Sequence, residues 1–317
     1  MCNDVGSHRA EYGAVQCGSH SSIWGCVFVF LIVLGASAKT VCAQTLNWEG
    51  QTGIFVTPLA YTAPSSDKNF GAPIVAYHYL DAGSVLGGFH QASITIGALG
   101  HLEFGYTRDI HQDGTTAGLS NLWGSGFNTF HGKFNFLREN VGKAWLPAVS
   151  VGFVLRSQVR NVGGVIAGKD TTNEDFYAVA TKTLVGLKIP LVLTGGLKAT
   201  NASLLGLVGN APDYKGRGFG SAAFALKGPA RSTIMLGAEV LQEPRGVENL
   251  PGAAVPTTIT YAVRIVPTGT FPAAHGWGEE TPKFNIDLGI AQAANNVMPG
   301  VSLQARHQFA LGISYAF

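Results

Sequence analysis

The sequence predicts an all-β protein: a closed, antiparallel, up-and-down transmembrane β-barrel of about twelve strands, preceded by a signal-peptide helix. Three observations predict it. The chain is 46% hydrophobic and only 13% charged, about half the charge of an ordinary soluble domain, yet it has no apolar run of about 20 residues after position 43. Its segments alternate large apolar residues with small or charged ones. Its last nine residues, "FALGISYAF", set Phe309, Leu311, Ile313, Tyr315 and Phe317 against Ala310, Gly312, Ser314 and Ala316.

The N-terminal segment comes first. "IWGCVFVFLIVLGASA" (23–38) is continuous and apolar but short for a membrane helix. Val41 and Ala43 supply small residues at the −3 and −1 positions of a cleavage site before Gln44. The expected organisation is therefore a secretory signal over 1–43, cleaved after Ala43, and one barrel domain over 44–317. All four cysteines precede that cut, so neither a disulfide framework nor a thiolate metal site is expected in the mature chain.

Candidate strands then follow at regular spacing. Clear alternation marks "ASITIGA" (92–98), "HLEFGYT" (101–107), "FHGKFNF" (130–136), "TITYAVRIV" (258–266), "KFNIDLGIA" (283–291) and the terminal segment. Less regular candidates lie at 52–60, 73–81, 146–156, 174–184, 188–199, 218–227 and 233–243, separated by clusters of Gly, Pro, Asn and Asp. A spanning strand takes about 9–11 residues, and turns and loops roughly double that. The stretch from 44 to 317 then holds about twelve, an even number, as bacterial barrels prefer.

The face opposite the aromatic one is built of Gly, Ala, Ser and Thr with single charges. Glu103, Lys133, Arg156, Lys182, Glu239, Arg264 and Asp287 are the expected lumen-lining residues. Lipid outside and a polar lumen inside fit that division. The charges read in two ways, as an open pore with opposed signs across it or as ion pairs bracing a filled interior. The terminal segment looks like the C-terminal strand signal of Gram-negative outer-membrane proteins. Tyr315 and Phe317 are its expected recognition residues for the barrel-assembly machinery.

The opening "LNWEGQTGIFVTPLAY", with "LPAVSVGFVLRS", "EDFYAVATKTL" and "LTGGLKATNASLLGLVGNAPDY", resembles a proteobacterial family of outer-membrane proteins known only as a domain of unknown function. A looser likeness is to barrels of exopolysaccharide export. It rests on Gly53, Ile54, Thr57, Pro58 and Ala60, then on Pro147, Ala148 and Gly152. The first resemblance implies a location and a fold without an activity; the second implies saccharide as a solute class.

Other chemistry is poorly represented. The net charge of +2 argues against nucleic acid as a partner. The histidines show no metal-ligand spacing, and "GNAPDYKGRGFG" does not sit as a phosphate loop, so no cofactor is expected. A Ser–His–Asn grouping could be assembled only in space, around Ser150 with His101 or His131. Three functions therefore stay open: a channel or transporter for polar solutes, saccharides among them; a non-conducting structural or assembly barrel of an envelope complex; and a membrane-embedded hydrolase, with no enzyme activity as the favoured expectation. Outer-membrane lipid is the expected surroundings, in a Gram-negative bacterium.

Overall fold

The computed structural model describes residues 45–112, 114–115, 126–159, 171–207, 210–229, 232–244, 255, 257–267, 284–294 and 308–317. The signal segment expected over 1–43 lies outside them. Twelve antiparallel strands close into one barrel. They are β1 (Ile74–Asp81), β2 (Gly88–Ala98), β3 (Leu102–Gln112), β4 (Phe127–Leu137), β5 (Ala148–Val159), β6 (Thr171–Leu184), β7 (Leu191–Ala202), β8 (Asn210–Lys227), β9 (Thr233–Gln242), β10 (Thr257–Val266), β11 (Phe284–Ala294) and β12 (Gln308–Ala316). One turn of helix, α1 (Gly83–Leu86), joins β1 to β2.

Each strand pairs with its sequence neighbours, and β1 pairs with β12 from Ile74↔Ala316 to Asp81↔Phe309. The sheet therefore has no free edge, which is the condition for backbone polar groups to lie in hydrocarbon. Beyond Ala316 the seam continues as Phe317 N–H donates to the Pro73 carbonyl at 3.2 Å.

Outward positions carry the large apolar side chains. Phe104, Phe134, Tyr261 and Phe309 are 45, 45, 59 and 49% exposed, while their neighbours Glu103, Lys133, Thr260 and Ala310 are buried. In water such a surface would be an aggregation site; in lipid it is the solvated face. Tyr315 and Phe317 also point outward, their rings edge to face with centroids 5.1 Å apart.

The connections β2–β3 (99–101), β4–β5 (138–147), β6–β7 (185–190) and β8–β9 (228–232) share one end of the barrel with the chain terminus. This is the short-turn end, the one that faces the periplasm in bacterial barrels.

The candidate strand at 52–60 is not in the barrel. Residues 45–63 instead run inside it and are buried throughout, apart from partial exposure at Pro58, Tyr61 and Thr62. This explains why thirteen candidates yield twelve strands. The segment folds on itself through bridges Leu46↔Thr52 and Gly53↔Pro58 and a Trp48 N–H to Phe55 carbonyl bond of 2.6 Å. Asn47 holds its tip, with its side-chain oxygen accepting from Glu49 N at 3.1 Å and Gln51 N at 2.9 Å. Gly50 completes the tip at φ +84°, where a Cβ would also meet Thr107 Oγ1 at 2.5 Å. At the periplasmic mouth a Cβ on Gly97 would lie 2.0 Å from the Ala63 carbonyl oxygen. Only glycine in β2 lets the plug pass there.

Candidate functional site

The plug and the wall around it form the site. Three clusters of charge on the wall grip plug backbone, and a fourth grips the Glu49 side chain.

On β3 and β4, Glu103 and Lys133 face each other in register and pair at 3.0 Å, both buried. Glu103 accepts from Thr52 N at 3.0 Å, Thr52 Oγ1 at 2.6 Å and Ala63 N at 2.8 Å. Lys133 donates to the Thr52 and Tyr61 carbonyls at 3.0 and 2.9 Å. Two strands thus hold both ends of the plug's second half.

On β9, Glu239 has no cationic partner among the described residues. Its carboxylate instead accepts from Phe55 N at 3.1 Å, Val56 N at 3.0 Å, Thr57 N at 2.9 Å and Thr57 Oγ1 at 2.6 Å. Three successive amides aimed at one carboxylate form a nest, a concavity of partial positive charge.

On β10 and β11, Arg264 and Asp287 are a forked pair. Nε meets Oδ1 at 2.6 Å and Nη2 meets Oδ2 at 2.9 Å. The remaining guanidinium protons go to Thr45 Oγ1 at 2.5 Å, to the Gly53 carbonyl at 3.0 Å and to the Ile54 carbonyl. Planar, five-donor arginine can serve wall and plug at once.

On β5, Arg156 is fully buried. It donates to Glu49 of the plug, to Asp175 on β6 at 2.9 Å and to Asn173 at 3.2 Å. Lys198 on β7 stands 3.5 Å from Asp175 and 3.6 Å from Glu243.

Every expected lumen residue except Lys182 points inward. Lys182 falls between the buried Thr181 and Thr183, which puts it on the outer face of β6. There it reaches over the β4–β5 turn to Asn140 Oδ1 and the Ala144 carbonyl, both at 2.5 Å, and pairs with Glu139 at 3.3 Å. The phase of β6 is hard to read because both faces are apolar, with Phe176 outside and Tyr177 and Val179 inside.

Asp109, Asp175 and Lys198 are inward charges absent from the expected set, and Asp175 shares the ambiguous phase of β6. Glu49 was not expected because the plug was read as wall.

The interior also departs from a uniformly polar lumen. Trp48, Phe55 and Val56 of the plug pack with Leu80, Phe89, Val154, Tyr177, Val179, Phe219 and Leu241. Ile54 and Leu59 pack with Val192, Met235 and Val266. The wall pairs charges with plug backbone and apolar side chains with plug apolar side chains, as a soluble core would. Two spaces beside the plug among the described residues, at Tyr177 and Lys198 and at Met235 and Arg264, measure about 20 and about 10 Å³, at most one water each.

The hydrolase grouping is not assembled around Ser150. Its hydroxyl is buried, donates to the Ala60 carbonyl at 2.5 Å and accepts from Asn135 Nδ2 at 3.0 Å. His101 is 2.8 Å from the Asn135 carbonyl instead. No cluster of three metal-ligating side chains occurs among the described residues.

A family model described as "Protein of unknown function (DUF3034)" matches residues 43–258. The chain belongs to that family. Its profile covers the plug and the wall from β1 into β10. No curated protein matches in sequence. Among solved structures, the chain is similar to the NanC porin (TM-score 0.45, 9% identity, 78% of this chain and 100% of that one). It is also similar to the KdgM porin (0.42, 8%, 77% and 99%) and to an outer membrane channel from Pseudomonas putida F1 (0.42, 13%, 83% and 100%). This DUF3034 member is a closed twelve-strand antiparallel β-barrel whose outward face carries the large apolar side chains.

Proposed function

We propose that this barrel is a channel for polar solutes that its own N-terminal segment holds shut. The observation that carries the reading is the plug itself. It fills the lumen and occupies Glu103, Lys133, Arg156, Glu239 and Arg264, the polar groups a solute would otherwise meet. Passage requires residues 45–63 to move. Saccharide is the solute class implied by the sequence likeness to exopolysaccharide barrels.

Planar-bilayer conductance tests it. The intact barrel is expected to pass no steady current, and deletion of 45–63 is expected to produce discrete steps. A folded deletion variant that stays silent at every voltage would overturn the channel. Current through the intact barrel would overturn the seal.

The dry packing around Trp48, Phe55 and Ile54 favours a second reading, a permanently sealed structural barrel. Cross-linking the plug to the wall separates the two. A locked plug with unaltered solute uptake in cells supports the structural role.

Tyr315 and Phe317 are proposed as the assembly signal, since both rings lie on the outer face beside the closing seam. Deleting Phe317 is expected to reduce the heat-modifiable, assembled protein in outer-membrane fractions several-fold. Unchanged assembly would remove that role.

A further inference from the structure

The periplasmic rim carries a pattern that the plugged channel does not use. At three places a lysine lies within two residues of an exposed large apolar side chain. Lys68 precedes Phe70 (70% exposed) in the strap that leads from the plug to β1. Lys143 precedes Trp145 (68%) in the β4–β5 turn, and Lys188 lies between Leu187 and Ile189 in the β6–β7 turn. The Lys143 ammonium is 5.9 Å from the Trp145 ring centre.

These tips are held in shape. Asn140 N donates to the Leu146 carbonyl and Leu146 N to the Lys143 carbonyl, each at 3.1 Å, while Lys182 ties the turn from outside. The strap is hydrogen-bonded to the end of β2, through Gly71 N to the Gly97 carbonyl at 2.8 Å, and to the β2–β3 turn, through Gly100 N to Ser65 Oγ at 2.9 Å.

The described acidic side chains on this rim are already paired, which leaves the Phe317 carboxylate as the one other anion described there against three lysines. Asp67 is held by Arg138, whose hydrogen bond keeps its carboxyl below the usual range, and Glu139 is held by Lys182. Lys68, Lys143 and Lys188 have no acidic partner among the described residues. The rim is thus cationic, and it begins where the lipid-facing band ends, one residue beyond Phe136 and Leu137 of β4.

We propose that the periplasmic rim binds anionic phospholipid headgroups of the inner leaflet. In this arrangement Phe70, Trp145, Leu187 and Ile189 enter the interfacial region and the three lysines meet the phosphates. The repeat of the pairing decides between a bilayer and a protein partner. An acidic protein needs one contiguous face, whereas here the same apolar–cationic unit recurs on separate tips around the barrel's edge. Each tip can put carbon into lipid and its ammonium at the headgroup level.

The inference rests on the outer-membrane reading but not on conduction. The full mature barrel would be folded into nanodiscs of equimolar phosphatidylcholine and phosphatidylglycerol, and the lipids it retains counted by native mass spectrometry. Each lysine near an anionic surface contributes about five-fold in occupancy. The intact barrel is expected to retain phosphatidylglycerol at least ten-fold over phosphatidylcholine. A Lys68→Gln/Lys143→Gln/Lys188→Gln variant should lose most of that preference while its heat-modifiable band is unchanged. Trp145→Ala should lower retention of both lipids without altering their ratio. Equal retention by the intact barrel, or a preference that survives in the triple variant, would overturn the proposal. So would capture of a single acidic protein by a photo-cross-linker at position 143, combined with no lipid preference.

Discussion

Replacing Arg264 by methionine is expected to destabilise the folded barrel by about 3–5 kcal/mol, the cost of leaving one member of a buried pair alone. The substitution removes both prongs on Asp287 and leaves that carboxylate buried with no compensating charge at bonding distance. It also withdraws the donors from Thr45 Oγ1 and from the Gly53 and Ile54 carbonyls. The readout is the midpoint of urea unfolding in detergent, followed by the heat-modifiable band. Arg264→Met with Asp287→Leu should recover a large part of the loss, because the stranded carboxylate is gone. The plug carbonyls stay unpaired, so recovery should be incomplete. A single variant within about 1 kcal/mol of the parent, the scale of an exposed pair, would show that wall and plug are not coupled through this guanidinium.

Trp48→Ala tests the apolar half of the grip. Trp48 is 2% exposed, its ring 6.2 Å from that of His78, within the cluster that holds Phe55, Leu80 and Phe89. Truncating a buried tryptophan costs about 3–5 kcal/mol when the surroundings cannot collapse, and a closed sheet collapses poorly. The same unfolding titration reads it. If the segment instead sat loosely in a wet pore, the indole would already contact water. The loss would then fall below about 1 kcal/mol. Protease accessibility of residues 45–63 should rise in the variant before the barrel itself unfolds.

The wall was legible because its code is short. In β3, β4, β10, β11 and β12 one face is large and apolar and the other small or charged, so parity alone fixes which side meets lipid. Phe104 and Glu103 need nothing beyond that rule. β6 is where it fails. Phe176 and Tyr177 are both aromatic, the adjacent Glu174 and Asp175 put one charge on each face, and Lys182 sits at the strand end where an outward lysine can reach the turn. The reading that took Lys182 inward left Asp175 unassigned.

The plug was misplaced for a related reason. "GIFVTPLA" has the length and apolar content of a strand, and local sequence does not reveal that its partners are side chains rather than another backbone ladder. Its hydrogen bonds go to Glu239 and Arg264, roughly two hundred positions away. The acidic and basic wall residues were visible; what they hold was not. Among the described residues the inward charges Glu103, Lys133, Arg156, Glu239 and Arg264 bond to the plug.

The seam between β1 and β12 joins the two ends of the sheet, and the closed ring encloses residues 45–63. Thr45 meets Arg264 across 219 positions of sequence and Phe55 meets Glu239 across 184. Contacts that distant form late and slowly. Seating the hairpin and closing the ring are therefore coupled: Glu239 and the free face of Arg264 find their backbone partners only when both ends of the chain have come together.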